Sequence, residues 1–387
     1  MKAAIMKMKV FQIIADSSLS GGPLHVFDLA KNLNKKKFAI AVICPSGPIV
    51  AKFQSLAGVK VYPVELPSAF DKKAILKIKE IISSAKNSLR AGGPLSEPEL
   101  RSSGASAPEE AKIILHAHGT RAGILALKLT DLGVKLIYTE HLWTKDYHLK
   151  NMLREKLQLW LLKKVAQKAV KIVAVSKAVR DFLFLTNIAQ LPKLQVIYNG
   201  VETPIAPTGR TKGKIIIGSV GSLNEHKGYE YLIAAVSQVR KDLPTLEVHI
   251  IGSGPLEKKL KSLNNKLKAD VKFIGHVDDL AGQLSQFALY IQPSLSESFG
   301  RTVVQAMALG LPVITTRVGG LGEIVRDKVE GLLVPPKNPQ QLSWAILILA
   351  KNKKMRQNMG KAAKKRAEFF SLAKMVNQTE QLYEKMV

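Results

Sequence analysis

Short apolar runs alternate with longer segments of helical period along nearly the whole chain. Residues 9–14, 38–43, 59–64, 113–118, 135–139 and 171–175 read as strands, and 214–220, 246–251, 271–276, 288–291 and 313–315 continue the series. Between them, residues 24–33, 71–84 and 149–169 carry apolar positions at helical spacing. Val303, Val304, Met307 and Ala308 do the same, and Gly310 with Pro312 stops that helix. Strand–helix alternation sustained through both halves predicts an α/β chain of two doubly wound domains, with ligands at the C-terminal ends of the strands. Thr203 to Gly213 is short, polar and rich in Pro and Gly, which makes it the linker between a first domain at 1–202 and a second at 214–371. Residues 90–110 are rich in Gly, Pro, Ser and Glu and read as a mobile surface loop.

The stretch from Gln292 to Val313 carries the most chemistry. A polar loop with Glu297 follows a strand, Phe299-Gly300 opens a helix, and Gln305 lies one to two turns in. A helix N-terminus presents free N–H groups and a partial positive charge, so it suits a phosphate. Gly300 permits close backbone approach. An ordinary βαβ unit whose loop carries a Glu explains the spacing equally well. Upstream, residues 17–23 (Ser-Ser-Leu-Ser-Gly-Gly-Pro) form a glycine-rich turn between strand and helix, though neither G-x-G-x-x-G nor a P-loop. His116 and His118 alternate on one strand, so both imidazoles share a face. A metal reading of that pair lacks a third ligand at recognisable spacing, and packed or capping histidines are the plainer reading.

Charge adds a direction. The 387 residues hold 58 basic against 30 acidic side chains, net +28, so the chain should be drawn to polyanions: nucleic acid, anionic membrane or phosphorylated substrates. No Cys/His finger or aromatic RNA-binding strand occurs, which argues against nucleic acid. The basic side of residues 149–169 (Lys150, Arg154, Lys156, Lys163, Lys164 and Lys168) opposes an apolar set of Leu149, Met152, Leu153, Leu157, Trp160, Leu161 and Val165. Such a helix lies on anionic lipid, or packs on a core with a solvated basic face. Cys44 is the single cysteine, so there is no disulfide framework. With no signal peptide or spanning run, a cytoplasmic setting is expected, peripheral on the inner face of the membrane where the basic helix docks.

The stretch 292–313 resembles the donor-site signature of the retaining glycosyltransferases of family four, group 1, which have the GT-B fold. In that family a Glu, seven residues and a second Glu flank a Phe-Gly helix start. Glu297 and Phe299-Gly300 match, and Gln305 stands where the second Glu is expected. Family counterparts also exist for Gly21-Gly22, His118, Thr139-x-His141, the junction 196–201, Lys227-Gly228, the turn 252–255, the strand 271–276, and Gly319-Gly320 with Glu323. Ser222 departs from the pattern, because the family has an Arg there that joins the Lys in clamping the donor diphosphate.

The resemblance implies two Rossmann-like domains facing across a cleft, with the final helix, about 372–387, packed back on the first. It assigns catalytic roles to His118 near the reacting sugar, Glu297 on donor hydroxyls and Lys227 on the diphosphate. Around the donor it groups Gly21, Gly22, Ser222, Gly252, Gly254, Ser298, Phe299, Gly300, Arg301, Thr302 and Gln305, with Phe273 and His276 at the base. Thr139 and His141 fall on the acceptor side. The implied reaction moves a sugar, with retention, from a nucleotide-diphosphate donor to a lipid-linked or other glycan acceptor in envelope polysaccharide or glycolipid synthesis. Lys227 and helix N-termini would stabilise the leaving diphosphate. The alternative device, a metal on an Asp-x-Asp motif, has no candidate, since Asp278 and Asp279 are adjacent. No metal or other cofactor is therefore expected beyond the sugar nucleotide as co-substrate. A sugar-nucleotide epimerase of the same fold and a non-catalytic binding paralogue are the competing readings, the latter supported by Ser222 and Gln305.

Overall fold

The computed structural model describes residues 7–91, 113–202 and 215–386. The expected linker 203–213 and all of the polar stretch 90–110 beyond Ala91 lie outside them. Seven strands form the first sheet: β1 Met8–Ile14, β2 Phe38–Cys44, β3 Val59–Pro63, β4 Ile113–His118, β5 Lys135–Glu140, β6 Lys171–Ala174 and β7 Leu194–Val196. Six form the second: β8 Ile216–Val220, β9 Glu247–Ile251, β10 Val271–Gly275, β11 Leu289–Gln292, β12 Val313–Thr316 and β13 Gly331–Val334. Their orders are β3-β2-β1-β4-β5-β6-β7 and β10-β9-β8-β11-β12-β13, and the strand pairs in both are parallel. Both are the doubly wound order, which reverses between β1 and β4 and again between β8 and β11. Helices cover both faces of such a sheet, which is why strands such as β4 and β11 are buried from end to end.

The chain crosses between domains twice, side by side. Val201 N–H donates to Phe370 O and Leu372 N–H to Val201 O, both at 3.0 Å. A Cβ on Gly200 would stand 2.5 Å from the Leu372 Cα, so this crossing needs glycine. The final helix, Leu372–Glu384, then lies on the first sheet, where Met375, Leu382 and Tyr383 share a core with Val10, Phe38 and Ile114. The two domains touch along one edge. Arg301 pairs with Asp28 at 2.6 Å, Lys150 with Glu225 at 2.7 Å, and Gly319 N–H donates to Asp146 at 2.9 Å. Glu323 accepts from Lys177 N–H and Ala178 N–H, capping the helix Lys177–Leu185 across the interface.

The helix predicted over 149–169 runs from Met152 to Lys168 behind an Asn151 cap. Its inward residues are Leu162, Val165 and Ala166. Met152, Leu153, Leu157 and Trp160, read above as one apolar side with Val165, are 69%, 79%, 56% and 55% exposed. The helix has two apolar faces, one in the core and one in solvent, and a single averaged stripe conceals that.

Candidate functional site

Glu297 sits in the loop between β11 and the helix Arg301–Ala308, and glycines pack that loop from behind. A Cβ on Gly319 would lie 1.9 Å from Glu297 O and one on Gly320 2.5 Å from Ser298 O, while Gly320 N–H donates to Glu297 O at 2.9 Å. Lys227 arrives from the loop after β8, at the end of the single turn Glu225–Lys227. Gly228 follows with φ +62°, and its Cα comes so close to the Pro293 carbonyl that a Cβ would stand 2.3 Å from the oxygen. That approach brings the Lys227 ammonium 2.5 Å from the Glu297 carboxylate. Gly300, three residues after Glu297, caps the next helix at φ +107°.

The resemblance groups further residues around the donor. Ser222 is exposed, and its hydroxyl accepts from the Asn224 amide at 2.8 Å. Gln305 and Ser298 are half-buried, and the Thr302 hydroxyl lies 2.9 Å from the buried Tyr290 hydroxyl. Gly252 and Gly254 hold the loops together: their Cβ atoms would stand 2.2 Å from Gly221 O and 2.6 Å from Leu223 N. The Phe299 ring is 1% exposed and packs between Tyr198 and Phe370, so its part in the site is to fix the helix start. Phe273 is half-buried on β10 with the Lys261 ammonium over its ring, and His276 is exposed just past the strand end. Arg301 is held in the domain contact: it pairs with Asp28 and donates to Gly200 O at 3.2 Å, with its side chain against Gly21. Burial raises the Asp28 pKa above the usual carboxylate value, and Arg301 opposes that shift.

On the first domain, Gly21 and Gly22 open the helix Gly21–Asn32 after β1. His118 ends β4 beside them, 5% exposed. Its Nε2 lies 2.6 Å from Gln12 Oε1 and its Nδ1 3.3 Å from His141 Nε2. Thr139 is fully buried and bonds His116 Nε2 at 2.6 Å, so its hydroxyl supports the histidines from within the sheet and does not face the cleft. Burial, joined by neighbouring imidazole charge, holds His118 and His25 well below the usual histidine pKa. Burial, then the Arg301 charge, takes His141 down to about 3.

Comparison with known proteins identifies the family of the chain that carries this arrangement. The model of "Glycosyltransferase Family 4" matches residues 19–204, and that of "Glycosyl transferases group 1" matches 202–366. An uncharacterized glycosyltransferase of Methanocaldococcus jannaschii is 31% identical over 280 residues, 70% of this chain and 75% of that protein. This chain is a group 1 glycosyltransferase of family 4. A D-inositol 3-phosphate glycosyltransferase of Paenarthrobacter aurescens is 28% identical over 301 residues, covering 70% and 72% of the two chains. Among solved structures, Anabaena HepE in complex with UDP superposes with a TM-score of 0.79 at 19% identity, covering 98% of this chain and all of that one. Sucrose-phosphate synthase from Thermosynechococcus elongatus gives 0.80 at 19%, covering 98% and 99%. Both are similar in fold.

Within this glycosyltransferase, sequence reading missed His25, Gln12, Tyr383 and Asp28. His25 lies in the helix Gly21–Asn32, 1% exposed, with its ring centre 4.8 Å from that of His141 and 5.4 Å from that of His118. Gln12 and Tyr383 are 371 residues apart and bonded at 2.8 Å. No local spacing signals either contact.

Proposed function

We propose that this glycosyltransferase moves a sugar from a nucleotide-diphosphate donor to a lipid-linked glycan or glycolipid acceptor at an anionic membrane surface, with retention and without a catalytic metal. The observation that carries the donor half is the Lys227–Glu297 pair beside the helix opening at Gly300. A growing diphosphate charge there meets a cation and free amides in a partly dehydrated site, where such groups act most strongly. The same contact fixes the Glu297 carboxylate, which this reading assigns to the donor hydroxyls. The UDP and UDP-glucose complexes of HepE, a protein of the same fold, support a sugar nucleotide as donor.

The acceptor half rests on the helix Met152–Lys168. Met152, Leu153, Leu157 and Trp160 face solvent among Lys156, Lys163 and Lys164, an arrangement that inserts apolar side chains between anionic headgroups. Lys150, just before this helix, pairs with Glu225 in the Lys227 loop, so the helix starts at the edge of the cleft. A lipid-borne acceptor would reach the site with little displacement. Among the described residues no helix is long and apolar enough to cross a membrane.

The test is incubation with a panel of sugar nucleotides, reading nucleotide diphosphate release with and without lipid acceptors. Acceptor-dependent release supports transfer. Interconversion of sugar nucleotides without release identifies an epimerase, and binding without turnover identifies a binding paralogue.

A further inference from the structure

Three histidines from three separate elements converge on the first-domain wall: His25 from the helix Gly21–Asn32, His118 at the end of β4, and His141 just after β5. One ring nitrogen from each lies within 4.8 Å of the other two. We propose that these imidazoles form a binding site for a divalent transition metal of the zinc class.

The hydrogen-bond network behind the cluster fixes which nitrogen of His118 is available. Gln12 Nε2 donates to the Tyr383 hydroxyl, so the Gln12 carbonyl oxygen is what meets His118 Nε2 at 2.6 Å. A carbonyl only accepts, so His118 Nε2 carries the proton and Nδ1 holds a lone pair aimed at His141. The Tyr383 hydroxyl, having accepted from Gln12, donates to His116 Nδ1 at 2.6 Å, and His116 Nε2–H donates to Thr139. A ligating histidine whose other nitrogen donates to a fixed acceptor is the usual support of a metal site. His25 Nδ1 is buried and makes no hydrogen bond of normal geometry, with the Asn199 side chain as its polar neighbour. The nearby Arg301 charge is offset by Asp28 at 2.6 Å.

The geometry suits zinc. Tetrahedral Zn–N bonds of about 2.0–2.1 Å set ligand nitrogens roughly 3.3 Å apart. His118 and His141 already stand at 3.3 Å, so only modest inward motion of the third ring remains. His141 is only partly buried, so the cluster is not sealed from solvent on that side. Three imidazoles with no carboxylate favour Zn²⁺, Cu²⁺ or Ni²⁺ over Mg²⁺ or Ca²⁺. An ion on His118 Nδ1 takes that imidazole away from the donor sugar, so it acts as an inhibitor of transfer; this consequence rests on the function proposed above, whereas the site does not.

The test uses the full chain, stripped with chelator and titrated with Zn²⁺ by calorimetry and with Co²⁺ by visible absorption. One equivalent should bind, with the intense ligand-field bands of tetrahedral Co²⁺, and Zn²⁺ should displace it. His25→Ala should weaken binding by roughly a hundredfold or more, and Gln12→Ala, which loosens the support, by about ten- to a hundredfold. His148→Ala, on an exposed histidine outside the cluster, should leave it unchanged. Absence of stoichiometric binding to the unsubstituted protein overturns the proposal, whether or not the variants fold, and so does full retention by His25→Ala. Because the readout is metal binding, failure here leaves the transfer reading standing, and zinc binding without sugar transfer leaves the site standing alone.

Discussion

Replacing Lys227 by Ala separates an active diphosphate clamp from a structural ion pair. Lys227 and Glu297 are 20% and 15% exposed and 2.5 Å apart, so the contact is largely dehydrated and weakly screened. A charge-assisted hydrogen bond to a donor phosphate contributes about 1.5–3 kcal/mol, which makes the loss of donor affinity roughly ten- to a hundredfold. Removing a preorganised group that stabilises developing charge costs about 2.7–4 kcal/mol, or roughly 10²–10³ in turnover. A second effect follows from the geometry: without the ammonium, the Glu297 carboxylate faces the incoming diphosphate uncompensated. Glu297→Gln added to Lys227→Ala should therefore recover part of the lost nucleotide affinity, with a coupling of about 0.5–3 kcal/mol between the two sites. Donor affinity is read by calorimetry with the nucleotide diphosphate, and turnover by coupled detection of its release. If Lys227→Ala binds and turns over like the parent, the pair only holds the loop and the diphosphate lies elsewhere.

The substitution Ser222→Arg should leave the enzyme active and tighten donor binding, since Ser222 is exposed beside the Lys227 loop and supplies no charge; lost activity with intact folding would contradict this. Transfer should survive excess chelator, because no Asp-x-Asp motif exists to hold a catalytic metal; activity that vanishes and returns only with Mg²⁺ or Mn²⁺ would refute it. Leu153→Glu with Trp160→Glu should abolish binding to anionic liposomes, and binding of the parent should fall steeply with salt. Equal binding to neutral liposomes would count against the membrane reading.

The strands were legible because a sheet covered on both faces writes each strand as an unbroken apolar run, and β2, β4 and β11 are of that kind. The donor loop was legible because Glu297, Gly300 and the helix stop are contiguous. What stayed hidden depends on pairings that the crossover topology creates. β1 and β4 are neighbours although a hundred residues separate them, roughly; only that adjacency sets Gln12 against His118 and His25 beside both. The His-x-His pair reads as incomplete for a metal, and of the two only His118 belongs to the proposed cluster, whose other members come from a helix and a loop at the same sheet edge.

Arg301 shows the same limit from the other side, and it bears on whether this chain is catalytic. Its position after Phe299-Gly300 is compatible with a phosphate, with solvent or with another domain, and the fold settles it onto Asp28 and Gly200 O. The Ser222 hydroxyl is likewise engaged, by Asn224. With both so occupied, the proposed function draws the charge for a leaving diphosphate from Lys227 and from the helix amides at Gly300. Those are fixed by backbone that only glycine permits, at Gly228, Gly319 and Gly320, and so need no rearrangement as charge develops. Under the proposed function the lysine is held against the carboxylate that orients the sugar, which gives it a use in transfer that mere binding does not require. The departure at Ser222 is thus weaker evidence against catalysis than the preserved Lys227–Glu297 geometry is for it.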